Sequence, residues 1–400
     1  MRVHPNQLRL ALALAAVLAA FALTAGAGDA PALLEPWSKG TLDVHQISTG
    51  RGNAALVVFP DGTTLLFDAG DAGNVVPLAT ALPDASRSAG EWIARYVRRA
   101  AGENAVLDYA VVSHFHPDHV SGLGKVAERL PIRKLIDRGY PDYGEPAAPR
   151  GAVFDGYRRA AEDAARKGTV RERARAGRAD QIVPVRAPGE TPGFAVRVVA
   201  ANGEVWTGKG DAIARHFPDL AGVPAEDRPP ENPCSIALLI RYGSFSLYTG
   251  GDLYGVPEPG APAWWDVETP IANAIGKTDV MVVDHHGSIE PASPFFLATL
   301  APRVIVVPAW SPTHPSPDVL KRLLSKRIWP GPRDVFVTSL RDATKAAIGP
   351  RASQVASDEG HVVVRVAPGG ASYRVYVVDD RSESGAVKSV HGPYASYGAR

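Results

Sequence analysis

The sequence predicts an α/β protein built as an αββα sandwich, in which two mixed sheets face each other and helices cover the outer faces. Three observations support this fold class. Short apolar segments typical of strands occur in two batches along the 400 residues, helical segments follow each batch, and several strands end in clusters of polar residues. The composition, 45% hydrophobic and 21% charged, is that of a chain that buries a full core.

The first 27 residues resemble a secretory signal peptide. Arg2 and Arg9 precede or open an alanine-rich apolar run that ends in the small residues 25–27. We expect cleavage after Ala27, no membrane span in the mature chain, and a periplasmic or secreted protein. The alternative is that the uncleaved segment anchors the same domain to a membrane.

The first batch of strands opens the domain that we predict for residues 28–380. "TLDVHQIS", "NAALVVFP" and "TTLLFDAGD" are apolar and short, and Asp61-Gly62 between the last two predicts a hairpin. A helical segment follows at residues 89–102, and then "LDYAVVSHFHPDH" reads as a buried strand that leads directly into a histidine cluster.

The second batch repeats this order. "SFSLYTGGDL", "DVMVVDHHGS" and "RVIVVPAWS" are apolar runs with polar ends, and helical segments at 293–300 and 316–326 each begin at a serine, a favourable N-cap. Residues 139–230 are rich in Pro, Gly and Arg. This composition predicts an insertion, with a helix at 154–167, that covers the polar ends of the strands. The C-terminal hairpin closes a sheet, and residues 381–400 read as a flexible tail.

Charge and cysteine content exclude two classes of protein. There are 43 basic and 42 acidic residues, so we expect no stable nucleic-acid complex held by bulk charge. Cys234 is the single cysteine, so no disulfide within the chain is available and the core must supply the stability. The sequence predicts no particular oligomeric state.

The segment "SHFHPDH" predicts a metal site. His114 and His116 are two positions apart, so at the end of an extended strand both rings point to one side and can share an ion. Asp118 and His119 lie just beyond and can serve a second ion. A solvated turn with incidental histidines is the alternative, and three histidines with one aspartate after a buried strand disfavour it.

Two further strand ends offer ligands of the same kind. Asp252, in "YTGGDL", has two carboxylate oxygens and can bridge two ions, while "DHHGS" offers both His285 and His286. Imidazole nitrogens with carboxylate oxygens suit zinc, with manganese or iron as alternatives.

These motifs resemble a known family. "FDAGD", "SHFHPDH", "YTGGDL" and "VDHHGS" occur in this order in the metallo-β-lactamase fold hydrolases, so the resemblance implies a metallo-β-lactamase-type sandwich. "NPCSIALLI", "DHHGS" and "HPSPDVLKRL" further resemble the hydrolase domain of bacterial DNA-uptake (competence) channel proteins. Those proteins carry membrane spans that we do not find here, so DNA import is not implied.

The resemblance also implies a ligand set for two divalent ions, in which the histidine followed by Gly-Ser, rather than the one before it, is a ligand. The first ion would be held by His114 and His116, the second by Asp118, His119 and His286, and both by Asp252.

Two such ions would lower the pKa of a bound water to roughly 7, and the resulting hydroxide would be a nucleophile at neutral pH. Asp118 would orient the hydroxide and carry a proton to the leaving group. His285 would face the substrate or support His286. Either His285 or His314 would stabilise the developing oxyanion, and the alternative for His314 is an ordinary surface position.

One departure from the family pattern concerns the first site. Relatives place a third histidine just before a strand, whereas this chain has Glu231 at that position, followed by Asn232-Pro233-Cys234. We therefore expect a weaker first site with Glu231 or Asn232 beside it.

The sequence thus predicts a secreted metal-dependent hydrolase that acts on a phosphodiester or another phosphate ester. A small-molecule or anionic ester substrate is the expected partner. The alternatives are a lactam, lactone or amide hydrolase, and a non-catalytic binding protein on the same fold.

Overall fold

A computed structural model describes residues 33–73 and 79–399 of the chain. The predicted signal peptide lies outside these residues. Within them, no helix has the length and apolar character that a membrane crossing requires.

The described residues form seventeen strands and eight α-helices. The strands are β1 (Leu42–Gln46), β2 (Ala55–Val58), β3 (Thr64–Phe67), β4 (Leu107–Val111), β5 (Ile132–Asp137), β6 (Val170–Arg173), β7 (Phe194–Ala201), β8 (Glu204–Trp206), β9 (Ile213–Arg215), β10 (Ala237–Tyr242), β11 (Phe245–Thr249), β12 (Val280–Val282), β13 (Val304–Val307), β14 (Asp334–Val337), β15 (His361–Val366), β16 (Ser372–Val378) and β17 (Val387–Ala395). The helices are α1 (Ala89–Ala101), α2 (Pro117–Val120), α3 (Leu123–Arg129), α4 (Ala152–Arg166), α5 (Glu268–Ile275), α6 (Pro294–Leu300), α7 (Pro317–Leu323) and α8 (Asp342–Ile348).

The strands form two mixed sheets. One has the order β17-β16-β15-β1-β2-β3-β4-β5-β6 and the other β14-β13-β12-β11-β10-β7-β8-β9. Within the first sheet β3 to β6 run parallel, and within the second β11 to β14 run parallel. The remaining neighbours are antiparallel. Hairpins at the start of each sheet and crossover helices later in the chain explain the mixture.

Three apolar clusters hold the layers together. The first lies between the sheets and includes Phe67, Val111 and Leu238. The second packs α5, α6 and α7 on the outer face of one sheet, and the third packs α1, α3 and α4 on the outer face of the other. The predicted αββα sandwich is therefore confirmed.

The helix starts follow from local sequence. Ser88 caps α1, since its hydroxyl accepts a hydrogen bond from the Glu91 amide while the Glu91 carboxylate accepts one from the Ser88 amide. Ser293 and Ser316 cap α6 and α7 through their hydroxyls, which accept hydrogen bonds from the Phe296 and Val319 amides, as the sequence predicts.

Two predictions about chain organisation are wrong. The described part of the predicted tail, residues 381–399, is not flexible, because six residues of β17 pair antiparallel with six residues of β16 between Ser372 and Val378, with shifts in register. The segment 139–230 is more than a cover over the site, because it supplies β6 to one sheet and β7, β8 and β9 to the other. Its predicted helix is present as α4.

The topology brings polar residues to one edge. The carboxyl ends of parallel strands meet at the same edge of a sheet. The segments after β4, β11, β12 and β13 leave the two sheets there, and they carry the residues that the sequence singled out.

Candidate metal centre

The loop after β4 carries the first group of potential ligands. His114 and His116 flank Phe115, and Pro117 begins the short helix α2. His114 Nε2 lies 3.2 Å from His116 Nδ1 and 3.6 Å from Asp252 Oδ2. These three residues form one group whose ligand atoms lie within 4.8 Å of one another.

A second group forms around the same aspartate. His119 Nε2 lies 3.1 Å from His286 Nε2 and 3.1 Å from Asp252 Oδ1, and His286 Nε2 lies 3.0 Å from Asp118 Oδ2. All four side chains meet within 4.8 Å, and the histidines and Asp252 are buried.

Asp252 lies between the groups and presents one oxygen to each. Its Oδ2 faces His114, and its Oδ1 faces His119 and His286 at 3.1 and 3.5 Å. The Asp252 amide donates to Ser235 Oγ, which holds the residue in place. Oδ1 is buried and accepts no well-formed hydrogen bond. A carboxylate in this position is suited to bridge two cations.

Hydrogen bonds on the outer side of the His119 and His286 rings fix which ring nitrogen faces the second group. His119 Nδ1 lies 2.7 Å from the carboxylate of Asp68, and His286 Nδ1 lies 3.1 Å from the carbonyl oxygen of Pro308. Both partners are acceptors, so each Nδ1 carries a proton, and each ring in its neutral form directs its Nε2 lone pair inward. Lone pairs 3.1 Å apart repel unless a cation lies between them, so the residues fit divalent metal ions.

Asp68 is itself held by several donors. The Ser113 amide and hydroxyl donate to its two oxygens, and Asn53 Nδ2 donates at 3.0 Å. Asp68 therefore orients His119 without belonging to either ligand group.

The electrostatics of the cluster favour positive charge. Burial lowers the pKa of His119, but Asp252, Asp118 and Asp68 outweigh burial and hold that pKa well above its ordinary value. Burial raises the pKa of Asp252, but the surrounding histidines outweigh it and hold that pKa well below its ordinary value. Metal binding at such a cluster is expected to release protons.

His285 and His286 point to different surroundings. Both residues have left-handed backbone, with φ of 44° and 53°, which is uncommon for residues other than glycine. This turn places His286 in the second group. His285 Nε2 instead lies 3.7 Å from Asp252 Oδ2 and 3.2 Å from Asn232 Nδ2, outside both groups.

A small polar shell surrounds His285. Its Nδ1 lies 3.0 Å from Glu290 Oε2, and the Tyr254 ring stacks on the imidazole at 5.8 Å. Burial lowers the pKa of His285, but Asp252 and Glu290 outweigh burial and raise it above its ordinary value. The ring is thus held on the first-group side of the centre.

His314 is buried beside the second group, so the surface alternative is wrong. Its ring stacks on His286 at 5.1 Å and contacts Trp310 at 5.6 Å. Burial, reinforced by His286 and His285, lowers the pKa of His314 to about 3, so its imidazole is neutral at physiological pH.

Glu231 and Asn232 both lie beside the first group. Glu231 Oε1 accepts a hydrogen bond from the Phe115 amide at 2.8 Å, and its carboxylate pairs with Arg138. Asn232 contacts His285 and Tyr254. Glu231 belongs to neither ligand group, and the Asn232 amide is directed toward His285 and Tyr254.

Arg138, Tyr254 and Glu290 also lie at the centre and were not predicted from the sequence. Arg138 directly follows strand β5, so the rule that polar residues at strand ends meet at one edge could have found it. Tyr254 and Glu290 lie two and four residues after Asp252 and His286 and carried no signal of their own.

Comparisons with known proteins place this chain in a family. The family model described as "Metallo-beta-lactamase superfamily" matches residues 47–265. "Recombination protein 2" of Haemophilus influenzae is 24% identical over 296 residues, which cover 73% of this chain and 27% of that protein. The chain thus spans about a quarter of the length of this curated relative.

Solved structures that are similar to this chain include two metallo-beta-lactamases. One is a motif mutant of the Cronobacter sakazakii protein, at 15% identity and a TM-score of 0.31, covering 62% of this chain and 80% of that one. The other is MEM-A1, a subclass B3 metallo-beta-lactamase from a soil metagenome library, at 15% identity and a TM-score of 0.32, covering 62% and 79%.

Proposed function

Because this chain belongs to the metallo-β-lactamase superfamily, we propose that it is a metal-dependent hydrolase acting on a phosphodiester or another phosphate ester. The observation that carries the proposal is the position of Asp252, whose two oxygens face two separate groups of nitrogen and oxygen ligands.

The residues divide into two ligand sets that share one carboxylate. The first ion would be held by His114, His116 and Asp252, and the second by Asp118, His119, Asp252 and His286. Divalent cations in such sites polarise a carbonyl or phosphoryl oxygen and lower the pKa of a coordinated water toward 7. Zinc suits the donor set best, with manganese and iron as alternatives.

Charge balance supports an anionic substrate. Asp118 and Asp252 are the only carboxylates in the two ligand groups, and Asp68 adds one more behind His119. The two ligand carboxylates would offset only half the charge of two divalent cations, so the ions could attract the anionic oxygens of a phosphate ester. The similarity to a protein named for recombination favours a phosphodiester over a lactam or lactone.

Two side chains are placed to assist the reaction. Asp118 is the more exposed of the two ligand carboxylates, with 13% of its side chain accessible against 2% for Asp252, so it can accept a proton from water and pass it to the leaving group. His285 faces Asp252 without belonging to a ligand group, so we assign it a contact with the substrate.

The proposed compartment is the periplasm or the exterior. The support is the sequence of residues 1–27, with basic residues before an apolar run and small residues at its end. N-terminal sequencing of protein from a periplasmic fraction tests this part, and a chain that starts at residue 1 in the cytoplasmic fraction contradicts it.

Replacing Asp252 by Ala tests the centre. We expect the wild type to contain up to two transition-metal ions per chain and to hydrolyse bis(p-nitrophenyl) phosphate. The variant should lose at least one ion and at least about 100-fold in kcat/KM, because one carboxylate serves both sites. Metal content is measured by inductively coupled plasma mass spectrometry.

Asp108→Asn is a matched control. Asp108 is a buried aspartate near the opposite end of β4, bonded to Thr64 and Arg186, so its loss should affect stability and leave metal content unchanged. Hydrolysis of a lactam or lactone but of no phosphodiester would contradict the substrate class. Full metal occupancy without any hydrolysis would contradict an enzyme and favour a binding protein.

A further inference from the structure

We propose that the buried Arg138–Glu231 ion pair positions the first metal group by fixing the backbone between His114 and His116. The inference rests on the proposed function, since it requires these two histidines to be ligands. In this role Glu231 is a positioning residue and not a ligand.

The contact that carries the inference is made by the main chain of the ligand loop. Glu231 Oε1 accepts a hydrogen bond from the Phe115 amide at 2.8 Å. Phe115 separates His114 from His116, so this bond holds the peptide that joins the two ligands. Their nitrogens lie 3.2 Å apart, a spacing that depends on the conformation of this peptide.

Arg138 makes the position of Glu231 rigid. Its Nε and Nη2 donate to the two Glu231 oxygens at 2.8 and 2.5 Å. The other donors bond to the carbonyl oxygens of Pro146 and Ala147 and to Asn202 Oδ1 at 3.0 to 3.3 Å. All five N–H donors of the guanidinium are therefore engaged, and the side chain is completely buried.

The Phe115 side chain anchors the same loop from its other face. The Arg138 guanidinium lies 4.9 Å from the Phe115 ring centre, and the ring packs against Phe154 and Tyr157 of α4 at 4.9 and 5.0 Å. Glu231 thus holds the ligand loop through the Phe115 amide, and Arg138 and α4 hold it through the Phe115 side chain.

The two metal groups depend on different supports. In the second group His119 and His286 are oriented through their own rings, by Asp68 and by the Pro308 carbonyl. The first group has three members, and His114 has only the Ser113 hydroxyl, at 3.1 Å, as a partner on its far side. Loss of Glu231 should therefore weaken the first site selectively, by about 10- to 100-fold, as removal of an outer support of a metal ligand does.

The test is a titration of metal-free protein with Co²⁺, followed by calorimetry and by visible absorption. The variants are Glu231→Ala, which removes the acceptor, and Glu231→Gln, which keeps an acceptor for the Phe115 amide at the same length. In wild type we expect two binding events, in Glu231→Ala one unchanged event and one weakened by at least about 10-fold, and in Glu231→Gln a smaller loss.

Two further variants separate positioning from general damage. Buried Asp43 and half-buried Arg365 form another ion pair, at 2.6 and 2.9 Å, away from the metal groups, so Asp43→Asn combined with Arg365→Met should lower stability and leave both events unchanged. If Glu231→Ala fails to fold, as judged by circular dichroism, Arg138→Met combined with Glu231→Leu replaces the pair by apolar residues and should show the same selective loss.

The outcomes distinguish this inference from the proposed function. Equal affinities in wild type and in the folded Glu231 variants, or equal weakening of both events, would overturn the positioning role alone. Failure of the wild type to bind Co²⁺ at all would overturn the proposed function and with it the ligand assignment.

Discussion

Glu268 is a completely buried carboxyl group that makes no ion pair in the described part of the chain. It accepts hydrogen bonds from the amides of Ala292 and Ser293 at 2.7 and 2.9 Å. Burial raises the pKa of Glu268 to about 8, with Asp266 adding to the effect, while the two amides and Arg322 oppose it. The group is therefore largely protonated at neutral pH.

This environment predicts a pH-dependent stability that Glu268→Gln should remove. The pKa in the folded chain, about 8, exceeds the ordinary value of 4.5, so the folded state keeps a proton that the unfolded state releases. Stability is fully present below pH 4.5 and falls as pH rises toward 8. A glutamine keeps the acceptor for one amide and has no charge to desolvate.

Urea unfolding at pH 5 and pH 8 measures the effect. We expect the free energy of unfolding of Glu268→Gln to exceed that of wild type by roughly 1–3 kcal/mol at pH 8 and to match it more closely at pH 5. Parallel pH dependence in the two proteins would show that Glu268 is ionised in the folded chain.

Residue types and spacing predict which side chains meet at the centre but not what lies behind them. The six proposed ligands follow buried strands, so the rule for strand ends brings them together. The Arg138–Glu231 pair joins residues 93 positions apart, and no local pattern encodes that contact. His314 reads as a loop residue, and its burial results from packing against His286 and Trp310.

At the scale of elements, the strands predicted from the sequence are those with continuous apolar runs. β4 and β13 are buried throughout, and that pattern is visible in the chain. β17 cannot be predicted in this way, because most of its residues are exposed or half-buried and Gly392-Pro393 lies within it. Proline is tolerated on an edge strand, which is the position of β17 in its sheet.

Deletion of residues 385–400 tests whether this edge strand stabilises the domain. β17 covers the edge of β16, Tyr394 is buried in the cluster between the sheets, and its hydroxyl donates to Asp334 of β14 at 2.6 Å. We expect a thermal midpoint lower by at least about 5 °C and more aggregation from the exposed edge.

Tyr394→Phe is the matched control, since it keeps the ring and removes one hydrogen bond. It should lower the free energy of unfolding by only about 1 kcal/mol. A truncated chain with the midpoint of the full-length protein would restore the tail interpretation.

At the scale of the whole molecule, the fold and the metal centre have separate sources of stability. The three apolar clusters pack the layers without any contribution from the ligand residues, which lie at one edge of the sheets. The chain should therefore fold without metal and gain stability on binding it, because a ligand that binds only the folded state shifts the equilibrium by mass action.

Treatment with a chelator measures that separation. The metal-free protein should keep its circular dichroism spectrum at 25 °C while its thermal midpoint falls by roughly 3–10 °C, and added zinc should restore the midpoint. Unfolding at 25 °C on metal removal would show that the centre is needed for the fold itself.

The reactivity of Cys234 can report on local opening of the chain beside the centre. It is the single cysteine, it is 1% exposed, and it lies two residues beyond Asn232 at the start of the segment that enters β10. Burial raises the pKa of its thiol to about 12, so the nucleophilic thiolate is nearly absent in the closed state. A thiol reagent therefore reacts only while this segment is open, and once per molecule. When closing is slow compared with the reaction of the exposed thiol, the modification rate equals the opening rate. A modification rate that does not change with denaturant indicates local opening, and one that rises with denaturant indicates global unfolding.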